Sequence, residues 1–595
     1  MTDFRATVLA IMAAAVLTIL SPSVQAAPNI VMLVADDWGF SDVGAFGSEI
    51  ATPNLDSLAA QGMRFANFHV AASCAPTRAM LLTGVDNHRN GVGNMPETMP
   101  GEHLGKPGYD GVLNDRVVTL ATLLKNQGYH TSISGKWHLG KTPEKLPDQR
   151  GFDRSFIQAD SGSDNWENRP YLFLYDKAYW FEDGRESAPP EDFYSSQLFV
   201  DKALEYIDSQ RGDGKPFFAY VAFQANHIPL QAPKAYIDKY QGVYQHGWDA
   251  LRQARRDRAA KLGLIAENTA MVRMASTRDW NSLSEAEKRY EQRRMEVYAG
   301  MAEAMDAQIG RLIQHLQQTG EYANTVFVFL SDNGAEASDP YDVPLAKLWL
   351  RLKYDNGLEQ MGAKGGYGVL GPSWASAAAA PLSTYKFFAG EGGLRVPLII
   401  SGVPGMPAGQ VVRGFTHVTD IVPTLLQLVG IAQPKDTYAG REVEPISGLS
   451  LLPVLLGQTD RAHPADQAIG YELSGNAALF KSDYKLLRNL PPLGDGQWHL
   501  YDISTDPGEV NDLRAQQPVL FRQLQADYAA WAEANGVLPM PEGYDYRKQV
   551  QRYGLTHGIL PGLLGLWPLL LGALGLLLVW RRRRRRRGQT RVATQ

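Results

Sequence analysis

Cysteine is almost absent from this sequence, because Cys74 is the only one among 595 residues. No disulfide can form within the chain, so its stability must come from an apolar core. No pair of histidines has the spacing of a zinc site either. The rest of the composition is that of an ordinary globular protein, which argues against fibrous and disordered classes.

Positive charge is scarce outside the C-terminal tail. Residues 581–595 contain eight of the 58 Lys and Arg residues and no acid, which leaves 50 basic against 63 acidic residues elsewhere, a net charge of −13. A body this acidic argues against nucleic acid as a partner. An anionic substrate would therefore need a local cationic site.

Two long apolar runs lie near the ends of the chain. Residues 1–26 combine an apolar run with a small-residue cleavage pattern and predict a secretory signal peptide. Residues 558–580 are uncharged and long enough for a transmembrane helix, which would place the basic tail, 581–595, in the cytoplasm. We therefore expect an exported protein, periplasmic or at the cell surface. It would be anchored in the cytoplasmic membrane by its C-terminal helix, unless the tail is processed as a sorting signal.

The segments between these runs predict two domains and a connection. Residues 27–440 alternate strand and helix patterns, which predicts a catalytic α/β domain with a mainly parallel sheet sandwiched by helices. Residues 441–545 contain short strands with polar turns and a closing helix, which predicts a smaller antiparallel α+β domain. Residues 546–557 are expected to be a linker to the membrane span.

Polar side chains follow four of the buried strands predicted in the larger domain. In an open α/β sheet, ligands bind at the carboxyl ends of the strands. If these strands are neighbours in the sheet, one cleft brings together Asp36 with Asp37, Lys136 with His138, His227, and Asp332 with Asn333. Any one of these residues has a common structural role, but their joint placement indicates a site.

The residues expected in this cleft fall into three chemical groups. Hard oxygen ligands, which suit Ca²⁺ or Mg²⁺ rather than zinc, come from Asp36, Asp37, Asp332 and Asn333. Cations suited to a compact oxyanion or its ester are Arg78, Lys136 and Lys386. His138 and His227 can donate or accept protons near neutral pH.

The lone cysteine lies at the start of a predicted helix. Pro76 suits the first helical turn, and Gly84 ends the pattern. A cysteine at this position faces the positive end of the helix dipole, and Arg78 projects from the same face. Taken alone, Cys74 would be interpreted as a small buried residue, but the polar strand ends around it suggest a chemical role.

The segments around Cys74 and Lys136 carry two motifs of a known family. The run from Cys74 to Arg78, followed by Leu82-Thr83-Gly84, resembles the C-x-P-x-R signature of the sulfatases. Residues 135–140, Gly-Lys-Trp-His-Leu-Gly, resemble the second signature of that family, which belongs to the alkaline phosphatase superfamily. The resemblance extends from residue 29 to about residue 511, and residues 247–252 look like the bacterial arylsulfatase branch.

The resemblance to the sulfatases implies an alkaline-phosphatase-like fold and a maturation step. A formylglycine-generating enzyme would oxidise Cys74 to formylglycine before the chain folds. Ca²⁺, with Mg²⁺ as the alternative, would be held by the hydrated aldehyde at position 74 together with Asp36, Asp37, Asp332 and Asn333.

The resemblance also implies a catalytic role for each remaining residue. One oxygen of the hydrated aldehyde would attack sulfur and release the alcohol, and loss of a proton from the other oxygen would then expel sulfate. Asp332 would assist the attack, and His138 would assist the expulsion. His227 and Lys386 would stabilise the leaving oxygen. Arg78 would orient the diol, and Lys136 would bridge the diol and the sulfate.

These inferences predict an arylsulfatase-type hydrolase that cleaves a small-molecule sulfate ester to sulfate and an alcohol or phenol. A phosphonate monoester or phosphodiester hydrolase of the same superfamily is the alternative hypothesis. A non-catalytic protein that binds sulfated ligands is a third, which the presence of every expected polar residue disfavours. We expect residues 158–192 and 335–385 to form the walls of the substrate pocket.

Overall fold

The computed structural model describes residues 27–561 and 576–581. The strands form one large sheet, one four-stranded sheet and two short pairs. In chain order they are β1 (Asn29–Ala35), β2 (Met63–Phe65), β3 (Phe68–His69), β4 (His130–Lys136), β5 (Arg154–Gln158), β6 (Trp180–Glu182), β7 (Arg185–Ser187), β8 (Phe217–Ala222), β9 (Thr325–Ser331), β10 (Leu398–Ser401), β11 (Gln410–Val412), β12 (Thr416–His417), β13 (Thr437–Tyr438), β14 (Arg441–Glu442), β15 (Ile469–Leu473), β16 (Asn476–Lys481), β17 (Tyr484–Arg488) and β18 (His499–Asp502).

The large sheet contains ten strands in the order β11-β2-β10-β9-β1-β8-β4-β5-β6-β7. Its five central strands, from β9 to β5, are parallel to one another. β10 runs antiparallel to both of its neighbours, and β6 and β7 form an antiparallel edge. The predicted mainly parallel sheet is confirmed, with antiparallel strands on both sides of the parallel centre.

The central strand β1 is covered on both faces. Val31 and Leu33 enter one hydrophobic core, whereas Ile30 and Met32 enter the core on the opposite face. A continuous apolar strand of this kind is typical of a parallel sheet between helical layers. Burial of each such side chain contributes about 1.5–3 kcal/mol, so the carboxyl end of β1 is held in a well-defined position.

Helices cover both faces of the large sheet. Between residues 27 and 561 the α-helices are α1 (Pro53–Gln61), α2 (Cys74–Thr83), α3 (Asn87–Asn90), α4 (Leu120–Lys125), α5 (Ser195–Gln210), α6 (Lys234–Ile237), α7 (Gly247–Lys261), α8 (Glu285–Gln318), α9 (Pro344–Lys353), α10 (Pro372–Ala378), α11 (Glu391–Leu394), α12 (Ile421–Leu428), α13 (Leu452–Leu455), α14 (Pro518–Asn535) and α15 (Tyr546–Tyr553).

The longest of these helices, α8, shows how local sequence sets an element. Ser284 and Glu287 form a capping box, in which each side chain satisfies a backbone N–H of the other residue. Met305, Ile309 and Leu312, spaced four and three residues apart, are buried on one face of the helix. This face packs into the core beside the large sheet.

The smaller sheet is an antiparallel meander. β15 to β18 pair in sequence order, and α14 lies against them through a cluster that includes Leu479, Leu486 and Leu524. The antiparallel sheet and the closing helix predicted for residues 441–545 are therefore present.

The segment after this sheet differs from the sequence-based expectation. Residues 546–557 were predicted to be a linker, but they contain helix α15 and a π-helical turn, Gly554–Ile559. Val550 and Tyr553 pack against a cluster that includes Tyr171 and Tyr175. The segment is therefore part of the folded body.

The predicted targeting segments fall largely beyond the described residues. The signal peptide, 1–26, lies outside them, as do residues 562–575 of the predicted span 558–580 and residues 582–595 of the basic tail. Within the ranges 27–561 and 576–581, no helix combines the length and apolar character needed to cross a bilayer.

Candidate active site

The carboxyl ends of the central strands bring the predicted oxygen ligands together. β1 and β9 pair with Ala35 opposite Ser331, so Asp36 and Asp332 leave the sheet side by side. Ligand atoms of Asp36, Asp37, Asp332 and Cys74 all lie within 4.8 Å of one another, and all four residues are buried. Asp37 has a φ of 65°, an uncommon left-handed conformation that often occurs at functional sites.

Helix α2 presents Cys74 to this cluster. The helix ends at Gly84, whose φ is 69° and whose N–H donates to the Met80 carbonyl. The Sγ atom of Cys74 lies 3.4 Å from Asp36 Oδ1 and 4.0 Å from Asp37 Oδ1. Burial, reinforced by the carboxylate of Asp332, raises the pKa of the thiol well above its usual value. The thiol is therefore protonated at neutral pH, even though it lies at the positive end of a helix.

Three buried cations surround the carboxylates. Arg78 binds Asp332 Oδ2 through Nε at 2.7 Å and through Nη2 at 2.6 Å. Lys136 Nζ lies 2.6 Å from Asp36 Oδ2, and Lys386 Nζ lies 2.7 Å from Asp37 Oδ1. We define the floor of the site as Asp36, Asp37, Cys74, Arg78, Lys136, Asp332, Asn333 and Lys386.

The floor fits a hard divalent cation. Asn333 Oδ1 is buried without a hydrogen-bond partner, while its Nδ2 donates to Asp37 Oδ1 at 2.6 Å. Burial raises the pKa of Asp36 and raises the pKa of Asp37 to about 8, so further positive charge would help to keep both ionised. Carboxylate and amide oxygens are the ligands that Ca²⁺ and Mg²⁺ prefer.

Asp332 differs from the other two carboxylates in its protonation. Burial opposes its ionisation, but Arg78 and Lys136 overcome that effect and hold the pKa of Asp332 below its usual value. It therefore remains a carboxylate at neutral pH without a further cation.

The two predicted histidines also reach the site, in neutral form. His138 has a φ of 56°, so the strand alternation that would place it on the same face as Lys136 does not extend to it. His227 Nδ1 lies 2.8 Å from the Ile228 carbonyl, and its Nε2 lies 4.0 Å from Asp37 Oδ2. Burial, together with nearby cations in the case of His227, lowers the pKa of both rings.

Two glutamates that sequence reasoning missed complete the polar environment. Glu97 Oε1 lies 3.6 Å from His138 Nε2, and Glu336 Oε2 lies 3.1 Å from Lys386 Nζ. Glu336 follows Asn333 by three residues, so the polar strand end could have indicated it. Glu97 lies in an irregular segment with no periodic pattern, and nothing local marks it.

The turn after β9 depends on a close backbone approach. A Cβ at Gly334 would lie 1.8 Å from the carbonyl oxygen of Gly392, at the position where this turn meets α11. Glycine is therefore required for Asp332 and Asn333 to sit at this depth.

A cavity of about 410 Å³ opens above the floor. Cys74, His138, His227 and Lys386 line it directly. As expected, its walls include residues of both predicted segments, such as Ser161 and Tyr171 from 158–192 and several between 336 and 372. Trp374, although it belongs to the segment 335–385, packs in the core against Trp248 and Trp280.

Sequence comparisons agree with this geometry. The sulfatase family profile matches residues 28–431. An uncharacterized sulfatase of Schizosaccharomyces pombe is 40% identical over 531 residues, covering 87% of this chain and 95% of that protein. An arylsulfatase of Klebsiella aerogenes is 37% identical over 449 residues, covering 74% of this chain and 95% of that enzyme.

Solved structures share the fold at lower identity. Ps i-CgsB in complex with k-i-k-neocarrahexaose has a TM-score of 0.62 at 23% identity, covering 90% of this chain and 98% of that one. A protein bound to its substrate D-glucosamine-2-N,6-O-disulfate has a TM-score of 0.57 at 22% identity, covering 86% and 98% of the two chains. Together with the profile match and the two close relatives, the site shows that this chain belongs to the sulfatase family, whose members hydrolyse sulfate esters.

Proposed function

We propose that this sulfatase is an arylsulfatase-type enzyme that acts through a formylglycine made from Cys74. The observation that carries the proposal is the environment of Cys74, which lies within 4.8 Å of three carboxylates and is buried. A thiol with a raised pKa is a poor nucleophile, so this environment suits a precursor better than a thiolate. A formylglycine-generating maturation enzyme would carry out the oxidation.

The floor would also hold a Ca²⁺ ion in this proposal, with Mg²⁺ as the alternative. Asp36, Asp37, Asp332 and Asn333 would bind it together with residue 74, and the unpartnered Asn333 Oδ1 supports this assignment. The bound ion would supply Lewis acidity that polarises the sulfate group.

The buried cations would bind the substrate's anionic end. Lys136 and Lys386 each contact a carboxylate of the floor, so a sulfate above them would meet charges whose positions are already fixed. Arg78, held by two contacts to Asp332 and by its bond to the Lys136 carbonyl, would orient the oxygens of residue 74.

The proton-transfer roles fall to Asp332 in the floor and to three groups that line the cavity. Asp332, kept ionised by Arg78, would accept a proton from residue 74 during the attack. The neutral ring of His138 would accept a second proton as sulfate is expelled, and Glu97 would stabilise the charged ring. His227 and Lys386 would stabilise the leaving oxygen or return its proton.

The domain boundaries and the cellular location form part of the same proposal. We assign residues 27–440 to the catalytic domain and 441–545 to the smaller domain. Export is supported by the signal-peptide pattern in residues 1–26, and membrane attachment by the apolar run 558–580 and the arginines after it.

A substrate panel on the full-length protein tests the proposed function. We expect hydrolysis of 4-nitrophenyl sulfate with a kcat/KM well above that for 4-nitrophenyl phenylphosphonate, and loss of activity with a chelator that is reversed by Ca²⁺. A higher kcat/KM on the phosphonate ester would favour the alternative phosphonate hydrolase. Activity that is indifferent to exhaustive chelation would contradict the metal assignment.

A further inference from the structure

The cavity above the charged floor has mostly apolar walls. Its lining includes Leu172, Phe173, Leu174, Val343, Phe387 and Val550. Most of the surface that these walls expose to the cavity is apolar, and the buried cations that would bind the sulfate group lie at the floor. The alcohol half of an ester would therefore lie against aliphatic and aromatic side chains, whose contacts favour an apolar group.

Helix α15 forms the outer wall of this cavity. The rings of Tyr546 and Phe387 lie with centroids 5.3 Å apart, and Gln549 Nε2 donates to the Met99 carbonyl at 2.7 Å. A Cβ at Gly558 would lie 1.8 Å from the Phe173 carbonyl oxygen, which shows how closely the following turn packs on the wall. These contacts hold Val550 at the cavity.

Acidic side chains outnumber basic ones in the lining of the cavity, which would disfavour a second anionic group at positions away from Arg547. Asp339 is paired with Arg294 at 2.5 Å, and Glu336 is paired with Lys386. Asp342 is exposed and forms no ion pair with any residue in the described ranges. Among the described lining residues, Arg547 is the one lysine or arginine that is not paired with a carboxylate. Four acidic side chains line the cavity, Glu97, Glu336, Asp339 and Asp342, against the two basic ones.

We infer that this pocket selects sulfate monoesters of apolar, uncharged alcohols and discriminates against sugars that carry further sulfate groups. Helix α15 is its specificity-determining wall. The inference rests on the proposed function, because it assumes that the ester's sulfate binds at the floor. It extends that function by naming the alcohol that the walls accept.

Three esters of primary alcohols test this inference with similar leaving groups. We expect kcat/KM to fall from cyclohexylmethyl sulfate to glucose 6-sulfate by tenfold or more, because the hydroxyl groups of the sugar would lose water against the apolar part of the wall. D-Glucosamine-2-N,6-O-disulfate should be poorer again, because it adds a second anion. Equal or higher kcat/KM for either sugar ester would overturn the inference.

Variants of helix α15 test whether this helix sets the preference for apolar alcohols over sugars. Val550→Asn should lower the ratio of kcat/KM for cyclohexylmethyl sulfate to kcat/KM for glucose 6-sulfate by about tenfold. The change should come mainly from a higher KM for cyclohexylmethyl sulfate. Arg552→Gln, an exposed residue of the same helix that does not line the cavity, is the matched control and should leave the ratio unchanged. An equal loss on both substrates in Val550→Asn would show a general structural effect and contradict the assigned wall.

A binding measurement separates this inference from the proposed chemistry. Calorimetry on a Cys74→Ala variant should show tighter binding of cyclohexylmethyl sulfate than of glucose 6-sulfate, whether or not the wild-type protein turns over either ester. Absence of turnover on every sulfate ester would contradict the proposed function alone. Equal affinity for the two esters would overturn the inference about the walls.

Discussion

Two buried ionic clusters in this protein have similar composition and different settings. One is the floor of the active site. The other, which we call the joint, consists of His69, Glu391, Arg395, Lys485 and Glu509 and connects the smaller sheet to β3 and α11. Lys485 Nζ, on β17 of the smaller sheet, lies 2.9 Å from Glu391 and 2.7 Å from Glu509. None of the joint residues lines the cavity above the floor.

The clusters differ in how well their charges are compensated. In the joint, Lys485 and Arg395 balance two glutamates. Lys485 and His69 hold the pKa of Glu391 below its usual value despite burial, whereas burial raises the pKa of Glu509. The floor and the adjoining Glu336 contain four carboxylates against three cations, and the pKa of Asp37 is raised. Burial and charge alone do not identify a functional site. What distinguishes the floor from the joint is an excess of oxygen ligands beside an open cavity.

Replacing Cys74, the proposed precursor of the nucleophile, should have the largest effect on activity. Cys74→Ala should lower kcat on 4-nitrophenyl sulfate by a factor on the order of 10⁵, because the precursor of the proposed covalent nucleophile is lost. The midpoint of thermal unfolding should change little, since only one sulfur atom is removed from the core. A variant that retains more than a few per cent of wild-type kcat would show that Cys74 is not essential to the chemistry.

Breaking the joint should lower the stability of the protein and leave its kcat nearly unchanged. Lys485→Met leaves two buried glutamates without their shared cation and should lower the free energy of unfolding by about 3–5 kcal/mol. The kcat of the folded fraction should stay close to wild type. Lys481→Met on β16, whose ion pair with Asp527 is partly exposed, is the control and should cost under about 1 kcal/mol. A large loss of kcat in folded Lys485→Met would couple the joint to the active site.

A buried pairing between helix α3 and the smaller sheet should make stability depend on pH. Burial opposes protonation of His88, but hydrogen bonds to Asp86 and Glu472 raise the pKa of His88 to about 9. The stabilisation is complete below the unfolded pKa of about 6.5 and is lost as the pH rises through 9.

The contribution of His88 amounts to about 3 kcal/mol. Denaturant titrations of wild type and His88→Gln should therefore differ most at pH 6 and converge near pH 10. A difference that is independent of pH would contradict a charged His88.

Calcium should stabilise the floor without acting through the joint. At a free concentration 100-fold above the dissociation constant, Ca²⁺ should add about 2.7 kcal/mol to the free energy of unfolding. Asp37→Asn should lose most of this increment, whereas Lys485→Met should retain it. Equal responses of the two variants in calorimetric unfolding scans would contradict the assignment of the ion to the floor.

The sequence predicts the centre of this molecule well. β1, β8 and β9 are continuous apolar runs, and the polar residues that follow them can meet only at one edge of a parallel sheet. Cys74 and Arg78 belong to a helix whose start and end are marked by Pro76 and Gly84. Local patterns and a general rule of topology therefore assemble the floor apart from Lys386, which lies in an irregular segment.

The margins of the fold are not predictable in the same way. β2 and β11 contain three residues each and pair through distant parts of the chain, so they leave no period in the sequence. Glu97 reaches His138 from an irregular segment for a similar reason. Helix α15 could have been found, because Tyr546, Val550 and Tyr553 recur at helical spacing, but its many charged residues favoured a linker.

The most direct test of the account is mass spectrometry of the peptide that contains residue 74, taken from the same preparation in which sulfatase activity is measured. Conversion of Cys74 to formylglycine lowers the peptide mass by about 18 Da. We expect the converted fraction to equal the active fraction of the preparation. Full activity in a sample whose residue 74 is entirely unmodified cysteine would contradict the account.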